Sequence, residues 1–147
     1  MAGYEFRLEQ VLKFRKEVEK IQQLELLAAR QRHETVSDQL NCEEKAIEEL
    51  DREFTQRQME GIQASDLQLF GDYRLRKRNE INRIKEELPA LEQAVQEKRE
   101  SLIVAAKEKK VLEIFKQKKL HAHRVELLEK ERNFMDEVAI QGRGARQ

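Results

Sequence analysis

Val36, Leu40, Ile47, Leu50 and Phe54 lie within a stretch free of Gly and Pro, Tyr4 to Glu60, at steps of four, seven, three and four. This is the spacing of a coiled-coil seam in which Glu43 takes the missing position. It predicts a first helix over about 4–60. Nearer the N-terminus, Val11, Phe14, Val18, Ile21 and Ala28 keep heptad steps in a register one residue off the later one. Residues Leu24 to Ala29 are apolar enough to serve either register, which predicts a local slip of the seam there.

Gly61 is the first glycine inside the chain, and Ser65 followed by Gln68 reads as a capping box, so a turn is expected over about 61–66. A second helix follows over about 67–141. In it Ile81, Ile84, Leu88, Leu91, Val95, Lys98, Leu102, Ala105, Lys109 and Leu112 alternate steps of three and four. The seam then steps by fours through Lys116, Leu120 and Arg124 before resuming at Leu127, Phe134 and Val138, a stutter that unwinds a supercoil locally. Gly71 loosens the first turns at a cost of about 1 kcal/mol. Pro89 removes one backbone bond, but Leu88 and Leu91 stay in phase around it, so a kink is expected rather than a second turn. Gly142 and Gly144 are expected to stop the helix near Ile140, leaving a tail over 142–147.

If the helices fold back on each other, facing positions share one sum of residue numbers. Phe54 with Tyr73, Ile47 with Ile81, Leu40 with Leu88, Val36 with Leu91, Ala29 with Lys98 and Leu26 with Leu102 all give 127 or 128. The same register sets residues 34–60, with nine acidic and three basic side chains, beside residues 74–85, with six basic and one acidic. Flanking charges of this kind select partner and orientation. The fold class expected is all-α: one coiled-coil domain over 1–147, a long two-helix antiparallel hairpin. At about 1.5 Å per residue its arms would run about 80 Å. Leu8 falls opposite Lys119 or Leu120, so residues from about 122 onward form a projecting C-terminal extension whose apolar residues need another surface.

Composition supports this and excludes much else. Five Gly and one Pro in 147 residues leave little for turns, and 39% charged residues cannot surround a spherical core. Lys and Arg balance Asp and Glu at 29 each. The longest apolar run, Leu102 to Ala106, is far short of a membrane span, and the N-terminus lacks the apolar segment of a secretory signal. A cytoplasmic protein is expected, and the lone Cys42 fits a reducing compartment.

No P-loop, dinucleotide fingerprint, nucleophile elbow or zinc pattern occurs, so no catalytic residue, cofactor or metal is expected. His121 and His123, two residues apart on a helix, point away from each other and cannot share a metal. His33 reads as a polar layer in the seam, Cys42 as a small residue beside it. The basic run Arg74 to Arg78 lacks interleaved aromatics and faces an acidic helix, so no nucleic-acid partner is expected. Phe54 and Tyr73 read as a core pair closing the turn end, and Phe70, off that seam beside Gly71, as an exposed contact.

Three motifs carry a family resemblance: Phe6-Arg7-Leu8-Glu9-Gln10-Val11-Leu12 leading to Arg15-Lys16; Ala64-Ser65-Asp66-Leu67-Gln68-Leu69-Phe70 with Tyr73; and Glu131 with Asp136-Glu137-Val138-Ala139 before an Arg-containing tail. In this order the chain resembles the flagellar export protein FliJ family along its whole length. The resemblance implies a non-enzymatic component of the flagellar type III protein export apparatus, similar to the central stalk of rotary ATPases. Such a protein binds the hexameric flagellar export ATPase, promotes its ring assembly and activity, couples it to the cytoplasmic domain of the membrane export gate, and handles export chaperones. It would be peripherally associated with the cytoplasmic face of the membrane through that apparatus. On this reading Leu127, Phe134, Asp136, Glu137 and Val138 meet the ATPase ring, and Phe70, Tyr73, Arg74 and Lys77 meet the gate. A structural or adaptor coiled coil of another assembly, including an injectisome stalk, shares the physical pattern, as does a nucleic-acid-binding coiled coil.

Overall fold

The computed structural model describes residues 3–146, with side chains to Gly144. Two helices account for nearly all of it, α1 over Glu9–Glu60 and α2 over Ala64–Arg146, with no strand among the described residues. The chain divides into two compact units: one holds the residues up to Ile21 and from Ile103 onward, the other Gln22–Leu102. Each unit is an antiparallel pair of segments from α1 and α2, so the hairpin topology is as expected.

Helix α1 starts at Glu9 rather than near residue 4. Arg7 and Leu8 form a turn before it in which the Glu9 N–H donates to the Phe6 carbonyl at 3.1 Å, and the Phe6 ring packs 5.8 Å from that of Phe115. Burying an aromatic ring outweighs one more helical turn here. Glu9, in the first turn, also suits the positive end of the helix dipole. At the other end Gly61 takes φ +96°, the left-handed conformation that closes a helix without a Cβ penalty. Helix α2 opens at once: the Leu67 N–H donates to the Gln63 carbonyl at 3.0 Å. Ser65 therefore lies inside the first turn and is not the cap its spacing suggested.

The unit holding Gln22–Leu102 buries Leu26, Ala29, Ile47, Ile81 and Ile84, and the other buries Phe6, Leu12 and Ala105. The seam of α1 runs in a single phase through Leu12, Arg15, Glu19, Gln22, Leu26, Ala29, His33, Val36, Leu40, Glu43, Ile47, Leu50 and Phe54, all buried or half-buried. The slip expected near Leu24–Ala29 does not occur, and Val11, Phe14 and Ile21 are exposed. The reason is electrostatic. Glu19 occupies a seam position because Lys109 of α2 donates to it at 3.0 Å, and Glu9 is met by Lys116 at 2.7 Å. Arg15 pairs in the opposite sense with Glu108. Charged partners thus hold a phase that the apolar pattern alone does not mark.

Similar pairs recur in the Gln22–Leu102 unit. Lys98 meets Glu25 at 2.7 Å, Lys77 meets Glu43 at 2.7 Å, and Arg74 clasps Asp51 with two bonds of 2.7 and 3.1 Å. His33 fills its seam position against Glu92 at 3.5 Å. Along α2 the seam steps from Leu112 through Lys116 and Leu120 to His123 and Leu127, so the stutter is one step shorter than expected and Arg124 is exposed. The His123 ring lies 5.1 Å from Tyr4, which accounts for that choice. Helix α2 continues uninterrupted through Pro89 and past Gly142 and Gly144, neither of which has the positive φ of a helix stop.

Two predictions follow from this packing. Leu12 is the one large side chain below 2% exposure among the described residues, so Leu12→Ala should lower the unfolding free energy by about 2–4 kcal/mol in urea titrations. The hydrogen bonds from Lys77 to Glu43 and from Lys109 to Glu19 hold both lysines above their ordinary value of 10.5, and the bond from Lys116 holds Glu9 below 4.5. The lysine contribution is complete below the unfolded lysine pKa and is lost as pH rises through the higher folded values. The Glu9 contribution is present above the unfolded carboxyl pKa and is lost as pH falls through the lower folded value. Urea midpoints should therefore decline on both limbs, and Lys109→Met should flatten the alkaline one.

Candidate functional site

The candidate residues fall into two groups, one in each unit. Near the turn, Phe54 of α1 and Phe70 of α2 stack with centroids 3.8 Å apart and planes 6° from parallel. Phe70 is therefore the ring that meets Phe54, and the expected Phe54–Tyr73 pair does not form. The three-residue offset follows from the tight turn. Only Gly61, Ile62 and Gln63 separate the helices, and half-buried Ile62 sits with Leu50, Leu69 and both rings around a cleft of about 250 Å³. Tyr73 is left 44% exposed, with the Lys77 ammonium 5.9 Å from its ring centre.

Arg74 and Lys77 are both half-buried and both spent inside the unit, on Asp51 and Glu43. The cations left outward are their neighbours. Arg76 and Arg83 are exposed, make no ion pair among the described residues, and line with Tyr73, Lys77 and Glu80 a shallow groove of about 340 Å³. Sequence reasoning saw this basic run but did not separate the side chains facing α1 from those facing out. The heptad phase holds that signal: Arg74 and Lys77 continue the Ile81–Ile84 stripe, and Arg76 and Arg83 do not.

The second group lies on α2 beyond its last contacts. Leu127 is half-buried, and every side chain from Leu128 to Gly144 is exposed. Leu128, Phe134, Met135, Val138 and Ile140 therefore show large apolar surface, with Asp136 and Glu137 between them. Contiguous exposed apolar surface makes this segment a candidate interaction site. One further apolar face escaped notice as such: Val11, Phe14 and Ile21 of α1, with Val104, Val111 and Phe115 of α2, are exposed in the same unit.

Comparison with known proteins decides the family. The family model described as Flagellar FliJ protein matches residues 4–147. The chain belongs to the FliJ family. No curated protein and no solved structure matched it. Membership makes it a flagellar export-related protein with a helical coiled-coil architecture. Among the described residues no group of three or more His, Cys, Asp or Glu is placed to hold a metal. No helix of the described residues is long and apolar enough to cross a membrane. Cys42 is an exposed free thiol.

The stacked ring and its exposed neighbour should separate cleanly on substitution. Phe70→Ala should destabilise the chain by about 1–3 kcal/mol through lost stacking and burial, whereas Tyr73→Ala should stay within about 0.5 kcal/mol. Thermal denaturation of the two variants side by side checks this.

Proposed function

We propose that this FliJ-family chain acts as a stalk-like organiser of the export machinery. The extension from Leu127 to Val138 engages the hexameric export ATPase and promotes its ring assembly and hydrolysis, and the turn end engages the cytoplasmic domain of the membrane export gate. Export chaperones for late substrates are a third set of partners. On this reading the protein works in the cytoplasm, held at the inner membrane face through the apparatus.

The observation that carries the ATPase reading is the run of exposed side chains on an intact helix from Leu128 to Gly144. Ordering a segment for binding costs free energy, and this segment is helical before any partner arrives. Phe134 and Val138 supply apolar anchors, Asp136 and Glu137 a charged rim. For the gate, stacked Phe70 and internally paired Arg74 and Lys77 act by fixing the surface. Tyr73 is the residue of that group able to touch a partner directly, with Arg76 and Arg83 beside it.

The test is to mix the chain with the export ATPase of the same source and follow ATP hydrolysis and ring formation together. Both should rise, and Phe134→Ala combined with Val138→Ala should lower the apparent affinity at least tenfold while leaving the helical content unchanged. No rise in either quantity with the folded chain would refute the ATPase role.

A further inference from the structure

The seam of α2, half-buried as far as Leu127, continues in phase through Glu131, Phe134, Val138 and Gln141, at steps of four, three, four and three. A helix that keeps a heptad seam after its partner has ended is suited to another helix. The sequence of this segment identifies one. Lys130 and Glu137 flank the seam at equivalent heptad positions, seven residues apart and opposite in charge. In an antiparallel pair these are the flanking positions that face each other.

We propose that residues 127–142 pair with the same segment of a second copy of this chain, antiparallel, about a two-fold axis at Asp136. In this register Phe134 of each copy packs on Val138 of the other, and Glu131 faces Gln141. Lys130 of each meets Glu137 of the other, so by symmetry every contact forms twice. Met135 meets its own counterpart beside the axis. Leu128 faces Gly142, which has open space around it and no Cβ to obstruct approach. Among the described residues of the single chain, Lys130 rests on exposed Glu126 alone, at 3.5 Å, and Glu137 has no ion pair. Sliding the pair by one heptad keeps the charge match but sets Glu131 against Phe134 and draws on Leu127, which is already half-covered. The register centred on Asp136 avoids both.

The contact spans about four helical turns and falls below the roughly 1,200 Å² of a standard interface, so the pair is reversible, with a dissociation constant on the order of 10–100 μM. It uses residues that the proposed ATPase contact also uses, so the two would compete. The self-pairing is nonetheless measured without the ATPase, and its failure leaves that reading standing.

Sedimentation equilibrium of the full chain, from about 1 to 500 μM, tests it against that estimate. A monomer–dimer equilibrium is expected, abolished by Val138→Glu and weakened at least tenfold by Lys130→Glu or Glu137→Lys alone. The double variant Lys130→Glu with Glu137→Lys should return to within about threefold of the unmodified chain, because it restores both pairs in reversed sense. The substituted side chains are exposed, so circular dichroism should be unchanged. A monomer across the whole range would overturn the proposal. So would a dimer indifferent to Val138→Glu, or a double variant no tighter than the single ones.

Discussion

Acid on α1 against base on α2 is the contact on which this structure turns. Glu9 with Lys116 and Glu19 with Lys109 hold one unit, and Glu25 with Lys98, Glu43 with Lys77 and Asp51 with Arg74 hold the other. A pair of helices offers each side chain only one covering surface, so few apolar residues are fully buried and apolar area alone specifies the register weakly. A heptad repeat is also nearly indifferent to a slide of seven residues. The ion pairs are not. Each is worth little as surface electrostatics, but a displaced register would leave half-buried lysines and glutamates against leucine and isoleucine. Their contribution is to specificity more than to stability.

This explains which parts of the fold were legible. The two helices, the short connection and the antiparallel pairing followed from apolar period and opposed charge blocks, both of which are read along the chain. The phase of α1 near its start was misread because Val11, Phe14 and Ile21 form a heptad stripe of their own, and apolarity outranks Glu19 in any pattern search. Only the position of Lys109 on the other helix shows that Glu19 belongs in the seam. The Phe54–Phe70 stack was hidden for a related reason, since a three-residue turn sets its own offset. Glycine was over-read at Gly142 and Gly144: it stops a helix where the backbone needs positive φ, and here that need arises at Gly61.

The candidate sites were legible in outline. The unpartnered length of α2 followed from the register, because α1 runs out of residues first. At the turn end, residue type was visible in the sequence but facing was not, so Arg74 and Lys77 turned out to be internal braces beside the outward Arg76 and Arg83. The two regions differ in kind. Near the turn, stacked rings and paired charges lock the surface in place, whereas the C-terminal segment of α2 keeps its helix with none of the described residues covering its side chains. A protein of the flagellar export apparatus meets other components through surfaces its own fold leaves open, and the surface proposed for the ATPase begins where the charged seam ends.

Hydrogen–deuterium exchange of the chain alone, at sub-micromolar concentration, bears most directly on that claim. Amides of α1 and of α2 as far as about Leu120 should be protected by the paired seam. Those from Leu128 to Gly144 should exchange orders of magnitude faster, because their helix is held by backbone bonds only. Uniform protection along the whole of α2, or fast exchange in the segments bearing Glu19 and Lys109, would contradict the account.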